Sequence, residues 1–261
     1  HVEGVPILGL QVGFNAKAAL ASMDLTKAGF PGPKRVFNGE HGYFKLIEND
    51  DYDILYLQEN IGKLWMVNQL AHKPFPSGRL THGLVHAIKD LKLKHGLNKD
   101  DIESIECFVP PGVYKLVARP IIDNLTTNYS KLCAKFVGAS FMINDHLNIE
   151  TFTEKKYLNN KDTLNFAKKI TMIKNDKLDQ KVLTPQKFII TLVNNSKIEI
   201  NIDHVYGHPK APLSEKEYLE KFSKCCFSST NKVDQNQVNR MLDFIFDLEN
   251  KDNVIDFFKT I

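Results

Sequence analysis

Long apolar runs are missing from this 261-residue chain: none approaches the ~18 residues that a membrane-crossing helix requires, so no membrane partner is expected. A dominant charge of one sign is missing too. The 34 basic and 31 acidic side chains are interspersed and leave a formal charge of +3, without the concentrated basic face of a nucleic-acid binder. That small surplus is compatible with an anionic small-molecule substrate without demonstrating one. Cysteine is sparse. Cys107, Cys133, Cys225 and Cys226 contain no C-x-x-C pair, and the adjacent pair is badly placed for joint zinc ligation. Reduced, partly buried thiols of a cytoplasmic protein are expected instead. No serine sits in a G-x-S-x-G elbow, and no glycine-rich phosphate loop or dinucleotide fingerprint occurs, so nucleotide chemistry is not expected. No signal peptide, internal repeat or low-complexity linker is legible. The chain also begins at His1 rather than methionine, with helix-like sequence by Gly13, and residues upstream are expected to have been removed, lost or never determined.

What is present is an ordinary globular composition, 43% hydrophobic and 25% charged, long enough for one large or two modest domains. Phe14, Ala18, Ala21 and Leu25 fall on one helical stripe that Gly29 stops. The paired glycines of 37–44 predict a tight turn, and 51–72 is ambiguous between helix and strand. Two prolines force 73–78 to be extended. A helix with Leu80, Leu84, Ile88 and Leu91 on one face follows and ends at Lys94-His95-Gly96. Ile105, Cys107 and Val109 alternate as in a strand. Leu132, Phe136, Ala139 and Ile143 mark a further helix, and Asp162 is a candidate N-cap for 164–170. Residues 187–193 and 197–205 read as a hairpin about Asn194-Asn195-Ser196. Ser214 and Glu217 predict a capping box, and Val238, Met241, Ile245 and Leu248 a closing amphipathic helix. The fold class is therefore mainly α with an inserted α+β domain. The division is 1–72 helical, 73–210 α+β, and 211–261 helices returning to the helical domain.

The densest chemical cluster is Lys73, Arg79, Thr81, His82 and His86. A helix start offers free N–H groups and a favourable dipole to an anion, lysine and arginine add carboxylate donors, and histidine exchanges protons near neutrality. Such a set suits a polycarboxylate and proton transfer beside it. Each member also has an ordinary structural role, a solvated loop lysine or a helix-start arginine. His82 and His86 lie four apart but lack a third metal ligand, so no metal is expected. Tyr206-Gly207-His208-Pro209 is the second cluster, with His208 either in a turn or facing a cleft. Tyr114 is a candidate phenolic donor, and His41, between glycines, a candidate pocket residue.

The string Lys73-Pro74-Phe75-Pro76-Ser77-Gly78-Arg79-Leu80-Thr81-His82 resembles the MmgE/PrpD family, which includes 2-methylcitrate dehydratase, cis-aconitate decarboxylase and iminodisuccinate epimerase. Ala28-Gly29-Phe30-Pro31-Gly32-Pro33 is similar to the family's G-x-x-G-P turn, and Gly39-Glu40-His41-Gly42-Tyr43-Phe44 to its E-G-x-x-G-x-F segment. Tyr206-Gly207-His208-Pro209 and Lys221-Phe222 are similar to its approach to the closing helices. These matches run in order from about residue 8 to about 250.

The resemblance implies a helical domain with an inserted lid, a homodimer, a cleft site, no cofactor and no metal. It implies proton abstraction from a small di- or tricarboxylate, next to an acidifying group, by a lyase of the dehydratase type. An isomerase or epimerase using the same abstraction, or a catalytically inactive partner, are the alternatives. Lys73 matches a cleft lysine of the decarboxylase branch, Arg79 and His82 match string positions, and Tyr114 falls near a cleft tyrosine. The implied roles are catalysis for Lys73, His82 and Tyr114, and substrate binding for Lys73, Arg79, His41 and His208. Leu8 stands where the decarboxylase has a second cleft lysine and Gly78 where it has a histidine, which disfavours decarboxylation. The family's N-terminal helical region, expected to supply the principal base, is not in the sequence.

Overall fold

The stripe through Phe14, Ala18, Ala21 and Leu25 lies on one unbroken helix, Ile7–Lys27, in the computed structural model, which describes residue 5 and residues 7–260. Gly29 ends it at φ +86°, and the Phe30 N–H reaches back to the Leu25 carbonyl at 2.9 Å. Leu8 belongs to this helix by its backbone, but its side chain lies outside what is described. The ambiguous stretch beyond resolves into the helix Ile54–Asn60, capped by the Asp53 carboxylate on the Tyr56 N–H, and a 3-10 turn, Met66–Gln69. Gly42 is required by close approach, since a Cβ there would lie 2.7 Å from the Phe37 carbonyl oxygen. Among the described residues of 5–70, Gly42 alone is buried, and Phe14, Leu25, Phe30 and Trp65 are all open to solvent. Little apolar area leaves water in this segment, so its helices owe their form mostly to local preference.

The chain divides into two units, His1–Leu70 and Ala71–Ile261. The second holds the hydrophobic core and a four-stranded mixed sheet. Its strands are β1 (Ile102–Val109), β2 (Ile170–Lys174), β3 (Gln186–Leu192) and β4 (Lys197–Ile202), in the order β2-β1-β3-β4. β1 pairs parallel with β2, through a long crossover of helices, and antiparallel with β3; β3 and β4 form the expected hairpin, with Asn195 at φ +67° in its turn. The register aligns one face. Ile105 faces Ile170 and Ile190, and Cys107 faces Met172 and Phe188, so a single apolar surface forms across the sheet.

Three helices cover that surface. His82–His95 packs on β3 and β4, Ala134–Asn144 packs against it and on β2, and Lys161–Lys168 packs on Ala134–Asn144 and β2. Phe136, Phe152 and Phe188 are fully buried between them. Close helix contact needs Gly138, where a Cβ would sit 2.6 Å from Leu84 Cδ2. The molecule is a mixed α+β structure. The expected cap at Asp162 is corrected: Asn160 caps the helix, its Oδ1 accepting the Thr163 N–H at 2.9 Å, and Asp162 sits in the first turn. The helix stops at Lys168 because Ile170 already pairs in β2. Cys107 and Cys133 are buried and burial pushes both thiols up, while Cys225 is exposed. Among the described residues no helix is long and apolar enough to cross a membrane.

Candidate functional site

Two sequence clusters more than 120 residues apart meet in the second unit. The His72 N–H donates to the Gly207 carbonyl at 2.8 Å, which lays the extended 73–76 segment beside the turn after β4. Arg79 completes the join: Nη1 donates to the Tyr206 carbonyl at 2.6 Å and Nη2 to the Val205 carbonyl at 3.1 Å. Gly207 stands at φ +86°, and a Cβ there would lie 2.0 Å from the His72 carbonyl oxygen. Half-burial lowers the Arg79 pKa without threatening its charge. Both terminal guanidinium nitrogens are thus engaged by protein carbonyls, and Arg79 works here as a clasp between chain segments.

His82 lies deeper. A 3-10 turn, Arg79–Thr81, leads into the His82–His95 helix, whose first turn is buried, so the anion seat expected at this helix start is closed to solvent. His82 is fully buried, edge-on to Phe75 at 5.4 Å, with Nε2 3.0 Å from Ser77 Oγ and Nδ1 without a partner among the described residues. Thr81 Oγ1 donates to the Gly78 carbonyl at 2.8 Å and lies 3.0 Å from Ser77 Oγ. These bonds form one directional chain if His82 carries its proton on Nε2, donating to Ser77, which donates to Thr81. The bare lone pair of Nδ1 is then what goes unpartnered, a smaller penalty than an orphaned N–H. Burial first, and then the charges of Arg79 and Lys73, hold the His82 pKa down at about 3. Gly78 has no room for a side chain, since a Cβ would lie 2.5 Å from Leu132 Cδ2.

Beside this join lies a groove of about 750 Å³. Lys73 and Phe75 line it from the extended segment, Phe141, His146 and Leu147 from the end of the Ala134–Asn144 helix, and Lys221 and Lys224 from the helix Glu215–Phe227. Asp145, at φ +61°, turns the chain so that His146 reaches the groove. The base of the Glu215–Phe227 helix is fixed by Glu217. Its carboxylate completes the capping box with Ser214, accepting the Ser214 N–H at 2.9 Å, and meets Lys89 Nζ at 3.4 Å. Burial alone would raise its pKa, but hydrogen bonds from Tyr206 and Ser214 and the Lys89 charge hold it at about 2. Ser214→Ala is expected to cost about 1 kcal/mol in urea unfolding, with Ser214→Thr recovering most of it. Equal loss in both variants would mean that the cap contributes nothing.

The other expected site residues scatter. Tyr114 is 37% exposed on the Pro111–Val117 helix and is not among the groove residues. His41 is exposed in the first unit. His208 stacks on His204 at 4.8 Å, its Nδ1 accepting the Lys210 N–H at 3.1 Å, and partial burial followed by the His204 and Arg79 charges lowers its pKa. His86 turns its ring toward Tyr206, and among the described residues no cluster of three or more His, Cys, Asp or Glu could hold a metal.

Residues 75–244, well over half of the chain, match the model of the MmgE/PrpD C-terminal domain. The chain belongs to the MmgE/PrpD family. The family includes dehydratase- and lyase-type enzymes, and the match spans the sheet, the clasp and nearly all of the groove. No curated protein matches the chain. Within this MmgE/PrpD chain, Lys73 stands two residues before the matched segment and lines the groove that the segment builds. His146, Lys221 and Lys224 are not among the site residues that the sequence points to. Lys221 and Lys224 share a helical face with Glu217, a spacing visible in the sequence but shared with any solvated face. His146 carried no signal, because only the left-handed Asp145 aims it.

Proposed function

We propose that this MmgE/PrpD chain serves a cofactor-independent hydro-lyase of the 2-methylcitrate dehydratase type acting on a small di- or tricarboxylate. In this proposal 73–210 is its lid domain, 1–72 with 211–261 its helical domain, and the working form a cytoplasmic homodimer. The observation that carries the proposal is Lys73. It lines the groove with no carboxylate partner among the described residues, and its backbone is held by the join between the family's two motifs. An ammonium there neutralises the substrate carboxylate next to the carbon that gives up its proton, and so stabilises the enediolate that develops. As the C–H bond breaks its proton passes to His146, the released electron pair forms the double bond, the C–O bond breaks, and the departing hydroxide takes a proton from His146 to leave as water. His146, the histidine that lines the groove, is the proposed proton carrier on this chain. His82 and Arg79 are positioning residues, because one is sealed from solvent and the other is bound to carbonyls.

A panel of citrate-like and aspartate-like acids, followed by proton NMR in deuterated buffer with the protein as its source makes it, tests the reading. One acid is expected to lose water, and Lys73→Met is expected to lower kcat/KM on it about 10- to 150-fold, the effect of one charge-assisted contact of ~1.5–3 kcal/mol. Unchanged turnover in that variant overturns the role of Lys73. Deuterium entering recovered substrate without product overturns the lyase in favour of an isomerase, and an inert panel overturns both.

A further inference from the structure

We infer that Lys221 and Lys224 form a second carboxylate subsite in the groove that Lys73 lines, so that its ligand carries at least two anionic groups. The inference rests on the groove being the substrate site. Helical spacing places Glu217, Lys221, Lys224 and Ser228 on one face of the Glu215–Phe227 helix and its cap, and all four line the groove. The groove is lined by four lysines and four carboxylates, but three of the carboxylates are already met by cations, two of which stand outside the lining. Glu217 is met by Lys89, Asp145 is paired with Lys92, and Glu220 lies 4.0 Å from Lys216. Glu150 accepts a bond from Ser228 Oγ at 3.4 Å and has no ion-pair partner among the described residues. Against that one carboxylate stand three ammoniums, Lys73, Lys221 and Lys224, none with an ion-pair partner among the described residues. Lys73 and Lys221, 148 positions apart in sequence, both bear electrostatically on the buried His82, so the fold brings the extended segment and the helix into one neighbourhood. Phe75, Phe141 and Leu147 give the groove an apolar wall, and its volume falls within the ~300–1,000 Å³ of small-molecule pockets. Lys73 and Lys224 are exposed and Lys221 is half-buried, so all three ammoniums are open to an incoming ligand. Ammoniums from two different elements suit carboxylates at the two ends of one ligand, and a single charge would leave one end unpaired.

Calorimetric titration with tricarballylate, propionate and inorganic phosphate tests this. Tricarballylate is expected to bind the wild-type protein, and Lys221→Met and Lys224→Met each to weaken it about 10-fold, while Lys232→Met, outside the groove, has no effect. Propionate, with one carboxylate, is expected to bind the wild-type protein more weakly than tricarballylate, and equal affinity overturns the two-subsite reading. Lys221→Arg is expected to recover most of the tricarballylate affinity, which a folding defect would not allow, and circular dichroism spectra of all variants are expected to coincide. If Lys73→Met weakens tricarballylate while both helix variants bind as wild type, the second subsite is overturned and the reading of Lys73 stands. If the helix variants lose affinity and Lys73→Met does not, the subsite stands and the Lys73 reading falls. Phosphate binding as tight as tricarballylate, or no wild-type binding of tricarballylate, overturns the carboxylate assignment.

Discussion

Taking the protein from pH 7 to pH 4 is expected to remove about 3 kcal/mol of stability through His82 alone. The unfolded chain protonates this ring near 6.5, whereas the folded ring, buried and facing the charges of Arg79 and Lys73, does so only near 3. Between those values protons bind the unfolded state and not the folded one, so acid favours unfolding. The contribution is complete above pH 6.5 and disappears as the pH falls toward 3, at about 1.4 kcal/mol per unit over roughly 2.5 units down to pH 4. Urea unfolding of the wild type and His82→Gln at pH 7, 6, 5 and 4 isolates the effect, because shared carboxylates cancel in the difference. The variant is expected to lose the slope between pH 6.5 and 5. Should it fail to fold, NMR titration of the His82 ring in the wild type gives the same answer. Parallel slopes, or a ring that titrates near 6.5, would sink the buried neutral assignment and with it the Ser77–Thr81–His82 hydrogen-bond chain.

The second large effect belongs to Gly207. An alanine there must adopt φ +86° and place its Cβ 2.0 Å from the His72 carbonyl oxygen, which is backbone and has no rotamer by which to move aside. Relief requires the 72–74 segment to leave the turn, which breaks the His72–Gly207 bond and draws Lys73 with it. Gly207→Ala is therefore expected to cost about 3 kcal/mol, a fall of about 6–12 °C in Tm for a unit of this size. Gly96 is the matched comparison. It too is left-handed, at φ +66°, but nothing lies within 4 Å of a Cβ there, so Gly96→Ala is expected to cost only about 1–2 kcal/mol. Calorimetry of both variants separates close approach from left-handed strain. Equal shifts would mean that the join at Gly207 is not tight.

Much of the secondary structure was legible because its signals are local. The Ser214 capping box, the glycine stop at Gly96, the hairpin about Asn195 and the alternation of β1 are set by side chains within a few residues of one another. The Asp162 cap failed for the same reason: Asn160 is an equally good cap two residues earlier, and composition does not choose between them. The site was half legible. Its motif strings were visible, but Arg79 and His82 read as ligand-facing residues at a helix start when the fold turns them inward, and His146 gave no signal because its position depends on the left-handed Asp145.

By itself the sequence determined where helices start and stop, which face of each strand is apolar, and which family motifs are present, since these depend on spacings along the chain. Tertiary structure alone decided which of the candidate residues meet. The Arg79 guanidinium is drawn to two carbonyls more than 120 residues away, the His82 ring is closed off from water, and three lysines around one groove have no ion-pair partner among the described residues. Burial and distant partners, absent from any local window, fix how a titratable side chain is charged and whether it can touch a ligand.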